Sequence, residues 1–132
     1  MHVLLIEPDR LQARTLRRAL ERDGHAVAHA VSAQSAVHCA DERTPDVVVL
    51  ELQLPQHNGV EFLYEFRTYP EWLHIPVILH TFVPARELMH AATLQTELGV
   101  VRTLYKPTTS LAQLCAAVQA SAAPTSAAPA AP

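Results

Sequence analysis

Five polar residues stand out by type and position: Glu7, Asp9, Glu51, Thr81 and Lys106. Three are carboxylic acids, one is a hydroxyl and one an ammonium, and Lys106 is the lone lysine among ten basic residues. Each part of the set follows a short apolar run: Val3-Leu4-Leu5-Ile6 before Glu7, Val47-Val48-Val49-Leu50 before Glu51, Val77-Ile78-Leu79 ahead of Thr81, and Val100 to Tyr105 before Lys106. Carboxylates gathered in one place repel and raise one another's pKa values unless a cation sits among them. Lys106 can be that cation, and Thr81 can donate to a carboxylate or phosphoryl oxygen.

Those runs are strands, and helices alternate with them. Val3–Ile6 is continuously apolar, as suits a strand buried on both faces. A helix starts at Asp9 or beside it, with Leu11, Thr15, Leu16, Ala19 and Leu20 as its apolar stripe and Gly24 as its stop. His25–Val31 alternates and predicts a less buried second strand; Ser32 caps a helix from Ala33 to about Arg43. Val47–Leu50 is the strongest strand, and the loop Gln53 to Asn58 leads into a helix from Val60 to about Tyr69. Pro76–Leu79 is a strand, Pro84 opens a helix running to Leu98, and Gly99 closes it. Val100–Tyr105 is the fifth strand, and Ser110 caps a last helix carrying Leu111, Leu114, Cys115 and Val118.

Five strands taking turns with five helices predict an α/β domain over residues 1–120, a doubly wound parallel sheet covered on both faces. Strand order 2-1-3-4-5 is among the few topologies allowed, and function gathers at the C-terminal strand ends, where all five polar residues fall. Residues 121–132 are Ala, Pro, Ser and Thr only, which predicts a disordered tail or a linker to an output domain.

Composition narrows the function. With 49% hydrophobic and 17% charged residues, the 132-residue chain reads as one globular domain. A net charge of −3 and 5% aromatics give no footprint for nucleic acid or for an anionic membrane. The N-terminal apolar run is too short for a signal peptide or a membrane span, so a cytoplasmic location is expected. Cys39 and Cys115 form no metal-binding spacing, and the eight histidines are scattered.

Over residues 2 to about 120 the sequence resembles response-regulator receiver domains. The resemblance rests on Val3 to Asp9, on Pro45 to Pro55 followed by Asn58-Gly59, on Pro76 to Thr81, and on Tyr105-Lys106-Pro107. It implies the flavodoxin-like fold, a Lys-Pro peptide that is typically cis, and helices carrying Cys39 and Cys115 on opposite sheet faces, too far apart for a disulfide. It also implies the function of a two-component signalling module, not an enzyme.

Three departures from the family pattern bear on that function. Glu51 stands where such domains carry the phosphorylated aspartate. Its longer side chain either reaches Thr81 and Lys106 as a phosphoaspartate would, or is simply a tolerated acid. Pro8 replaces the second member of the acidic pair, which in the family binds Mg²⁺, so weak or no metal binding is expected; Asp9 is one residue out of register. Thr103 occupies the position of the family's switch aromatic, with Tyr105 two residues on as a displaced candidate.

The expected function is that of a pseudo-receiver acting through protein contacts with a kinase, an output domain or another regulator. Arg10, Arg14, Arg17, Arg18 and Arg22 line one helix face and suit solvent first, then an acidic partner, with nucleic acid the weaker reading. The surface of the fourth helix, fifth strand and last helix is compatible with a homodimer. Two alternatives stay open: a receiver still switched at another residue or by a ligand, and a small flavodoxin-like nucleotide or cofactor binder. Against the second, the loop Glu7-Pro8-Asp9-Arg10 has no glycine to cradle a phosphate.

Overall fold

The computed structural model describes residues 1–88 and 91–127. Strands β1 (His2–Ile6), β2 (Ala26–Ala30), β3 (Val47–Leu50), β4 (Val77–Thr81) and β5 (Val100–Tyr105) form one sheet. Helices α1 (Arg10–Arg22), α2 (Ala33–Glu42), α3 (Gly59–Phe66), α4 (Ala91–Thr96) and α5 (Leu111–Ala127) connect and follow them. Every strand pair is parallel and the order is 2-1-3-4-5, the topology expected from the alternating pattern.

The core follows from the two-residue period of a strand. Val3 and Leu5 of β1, with Val47, Val49, Ile78 and Leu104, face α1 and α5; Leu4 and Ile6, with Val48, Leu50, Val77 and Leu79, face α2, α3 and α4. β1, β3 and β4 are buried along their whole length, which is why Val3–Ile6, Val47–Leu50 and the first three residues of β4 read as apolar runs. On α2 the inward residues are Ala33, Ala36 and Ala40, whose small side chains let the helix lie close on the sheet. Cys39 packs with the α2 side and Cys115 with the α1/α5 side, and both are free thiols.

Several local expectations are corrected. The inward stripe of α1 is Ala13, Leu16 and Leu20, while Leu11 is 72% exposed and Thr15 is exposed as well. Ala13 stands three and seven residues before Leu16 and Leu20, on one face of a 3.6-residue helix, whereas Leu11 stands five and nine before them, on the other. α3 stops at Phe66, where the chain turns through a short 3-10 segment at Pro70–Trp72. That segment buries Trp72 against Phe66 and Tyr69. The Arg67 guanidinium ties this corner together by donating to the carbonyls of Trp72, Ile75 and Leu98.

Pro84 does not open a continuous helix. A 3-10 turn at Ala85–Glu87 comes first, and Leu88 then turns extended and packs on the core before α4 begins. The last helix continues to Ala127 through much of the stretch expected as tail, in keeping with the helix propensity of alanine; the rest of that stretch lies outside the described residues. The Lys106–Pro107 peptide is trans, as no cis peptide occurs among the described residues, and the chain enters a 3-10 turn at Lys106–Thr108.

Candidate functional site

Doubly wound sheets open a crevice where the strand order reverses, here between β1 and β3. Glu7 leaves β1 and Glu51 leaves β3 at that point, Thr81 ends β4, and Lys106 follows β5. Local chemistry holds each in place. The Glu7 N–H donates to the Ala30 carbonyl at 2.9 Å, and the Glu51 N–H to the Ile6 carbonyl at 3.0 Å. The Glu7 carbonyl also takes a 2.7 Å contact from His29 Nε2. Gly59, at the start of α3, packs so closely on the segment after β3 that an added Cβ would lie 2.8 Å from Leu52 Cα and 3.2 Å from the Glu51 carbonyl.

Four of the five expected residues meet. Lys106 Nζ lies 2.6 Å from Glu7 Oε1 and 2.9 Å from Glu51 Oε1, with its side chain 5% exposed and both carboxylates 3% exposed. Thr81, fully buried, donates its hydroxyl to Glu51 Oε2. Two backbone amides complete the cage around Glu51: Gln53 N–H on Oε2 at 3.1 Å and Phe82 N–H on Oε1 at 3.3 Å. Burial alone would raise the Glu51 pKa; hydrogen bonds from Thr81, Lys106 and Gln53, with the Lys106 charge, outweigh it and hold the carboxyl below the ordinary glutamate value.

Asp9 does not join the cluster. Its exposed carboxylate caps α1, accepting from the Leu11 and Gln12 amides, and only its backbone N–H reaches Glu7 Oε2, at 3.1 Å. Capping competes with any inward role because an N-cap carboxylate must point at the first-turn amides. Thr103 is exposed and pairs in register with Leu79, whereas Tyr105 pairs with Thr81 and so stands beside it on the same sheet face. His80 is buried, and burial followed by the Lys106 charge lowers its pKa to about 4, with Glu51 opposing.

Phe82 is the residue that sequence reasoning missed. Its ring centroid lies 4.8 Å from Lys106 Nζ, a cation–π contact that roofs the cluster, although Phe82 itself is 47% exposed. Its position directly after Thr81 was the available signal. Strand alternation says only that Phe82 points away from Thr81, not that the turn after β4 folds it over the lysine.

The Thr81 hydroxyl, the Lys106 ammonium and the two amides converge on one point, which the Glu51 carboxylate occupies. Receiver domains typically bind Mg²⁺ beside this point. In this chain Pro8 offers no side-chain oxygen, Asp9 is turned to α1, and the Glu7 and Glu51 oxygens are engaged by Lys106, Thr81 and amides, a donor set that does not fit octahedral magnesium. Among the described residues no group of three His, Cys, Asp or Glu side chains is disposed to hold a metal.

Comparison with known proteins places the chain. The profile of the response regulator receiver domain matches residues 3–119, and the chain belongs to that family. It is 38% identical over 78 residues to the KDP operon transcriptional regulatory protein KdpE of Escherichia coli, covering 59% of this chain and 33% of KdpE. It is 30% identical over 79 residues to the polar-differentiation response regulator DivK of Brucella ovis, covering 60% of this chain and 64% of DivK. The chain therefore spans less than two thirds of these relatives. Among solved structures, the non-phosphorylated HemR receiver domain of Leptospira biflexa superposes with TM-score 0.76 at 26% identity over 91% of this chain and 92% of that one. The chemotaxis response regulator CheY4 of Vibrio cholerae gives TM-score 0.80 at 20% identity over 91% and 97%, a likeness of fold alone.

Proposed function

We propose that this chain is a receiver domain of two-component signalling that works without being phosphorylated, with Glu51 serving as a built-in anion in the pocket. The observation that carries this reading is the set of partners on Glu51: the Thr81 hydroxyl, the Lys106 ammonium and two backbone amides. Those donors are the ones a phosphoryl group on a shorter aspartate would need, and charge-assisted bonds of this kind contribute about 1.5–3 kcal/mol each when sheltered. That is enough to hold a two-state element whose gap is a few kcal/mol in one state.

In this reading the output is a protein–protein contact with a kinase, an output domain or another regulator in the cytoplasm. The five exposed arginines of α1 supply charge for an acidic partner surface. Incubating the purified protein with acetyl phosphate and Mg²⁺ and reading its intact mass tests the proposal. No phosphoryl adduct is expected, beside a receiver carrying the usual aspartate that acquires one. A stoichiometric adduct refutes it. Glu51→Gln, which keeps the shape and removes the charge, is expected to weaken partner capture while leaving the fold intact by circular dichroism.

A further inference from the structure

The sheet sorts the charges of the helices by side. On one side, α1 carries five arginines and one glutamate, and α5 carries no charged residue. On the other, α2 and α3 carry four acids, Asp41, Glu42, Glu61 and Glu65, and no lysine or arginine within their spans. We propose that these two sides bind each other between copies of the chain, the outward face of α1 of one copy seating in the groove between α2 and α3 of the next.

The outward face of α1 has the form of an anchor. Leu11, Arg14, Thr15, Arg18 and Arg22 recur at helical spacing along it, opposite the buried Ala13, Leu16 and Leu20. Leu11 is 72% exposed, the most of any large apolar side chain among the described residues, and stands about one turn before Arg14. Among the described residues Arg10, Arg14, Arg18 and Arg22 make no ion pair, while Arg17 is taken by Glu21 of the same helix.

The groove has the complementary build. It is an open trough of about 510 Å³, with buried Ala33 and Phe62 and half-buried Val37 as its inner wall and exposed Gln34, His57, Glu61 and Glu65 as its rim. Glu61 and Glu65 stand four residues apart on α3, about 6 Å along its axis, which is also the spacing of Arg14 and Arg18 on α1. With those pairs opposed, Leu11 is the knob for the apolar wall, and the arginine stems lie along it with their heads on the acids. An apolar contact framed by opposite charges is helix-in-groove recognition in which charge selects the partner.

The two surfaces lie on opposite faces of the sheet, so the contact is head-to-tail and copies add beyond two. Small patches and exposed ion pairs make the association weak and sensitive to salt. Glu51 takes no part, and the contact stands whether or not the chain accepts a phosphoryl group.

Sedimentation equilibrium of the full chain tests this, from about 10 μM to about 1 mM, the range of a weak contact. The weight-average mass is expected to rise past that of a dimer, with association falling about 10-fold or more between about 0.05 and 0.5 M NaCl. Arg14→Glu/Arg18→Glu and Glu61→Gln/Glu65→Arg, all at exposed positions, should each be monomeric; glutamine at 61 keeps the bond from Asn58 Nδ2 at the start of α3. An equimolar mixture of the two should associate again, because an acidic α1 then meets a groove bearing arginine and an unaltered α1 meets an unaltered groove. Leu11→Ala should weaken association about 3–10-fold. A wild-type chain that stays monomeric throughout overturns the proposal and leaves the arginines to an acidic partner other than this chain. Association that neither double variant reduces overturns it by placing the contact elsewhere, and a mixture that stays monomeric overturns it as well. Should either double variant not fold, Leu11→Ala decides, and undiminished association then overturns the proposal.

Discussion

Replacing Lys106 by methionine isolates the physical core of the site. The ammonium is the one cation within bonding distance of two carboxylates that are each 3% exposed, at 2.6 Å and 2.9 Å. Methionine keeps much of the volume and removes the charge, leaving Glu7 and Glu51 facing each other out of water. Breaking a buried pair from one side costs about 3–5 kcal/mol, a large share of the roughly 5–15 kcal/mol by which a domain is stable. The remaining donors, Thr81 and the amides of Asp9, Gln53 and Phe82, satisfy oxygen lone pairs but do not neutralise two charges.

One carboxyl of the variant must therefore take up a proton with its pKa raised. The sign of the pH dependence then reverses. In the native chain Glu51 has a lowered pKa and contributes stability that is lost as pH falls through the acidic range. In Lys106→Met a raised carboxyl makes the folded state bind the extra proton, so its deficit shrinks as pH falls from about 7 to about 5. Urea unfolding at several pH values measures this, with Lys106→Met/Glu51→Gln expected to recover at least half of the loss at neutral pH. A deficit below about 1 kcal/mol that does not change with pH would refute the buried-triad reasoning, since an exposed pair is worth no more than that.

Two further outcomes follow from packing and burial. His80 has its pKa lowered to about 4 from 6.5, so the unfolded state binds more protons between those values. Stability should fall as pH drops through that window and level off below it, by about 3 kcal/mol from this residue alone, and a His80→Phe variant should show a shallower fall in the same denaturation series. Parallel curves would count against a neutral buried imidazole. Gly99 has φ +69° and lies so close to Arg67 that an added Cβ would sit 2.3 Å from its Nη2. Gly99→Ala should cost about 1–3 kcal/mol in thermal unfolding, from left-handed backbone strain together with displacement of the Arg67 bonds to Trp72, Ile75 and Leu98. An unchanged midpoint would show that Arg67 moves aside freely.

The sheet was legible in the sequence because a parallel strand buried on both faces leaves a signature no other element shares at that length: Val3–Ile6 and Val47–Leu50 admit little else. With the strands located, the C-terminal ends named the polar residues, and four of five meet in one cluster. Local hydrogen bonding is stronger than such placement, which is why Asp9 went to cap α1 instead. The phase of α1 was legible once the period is counted: Ala13 lies three and seven residues before Leu16 and Leu20 and shares their face, whereas Leu11, five and nine before them, falls on the opposite one.

By itself the sequence determined the order of elements, the parallel sheet, and the presence of two glutamates, a threonine and a lysine at four strand ends. Tertiary structure decided that one lysine would bind two glutamates at once and that Phe82 would roof them. It also decided that His80 would be buried with a ring nitrogen unpaired. The reason is physical: type and spacing fix which face of a strand a residue takes. Distances between residues 30 or 99 positions apart, as for Thr81 with Glu51 and Lys106 with Glu7, exist only once the sheet has closed.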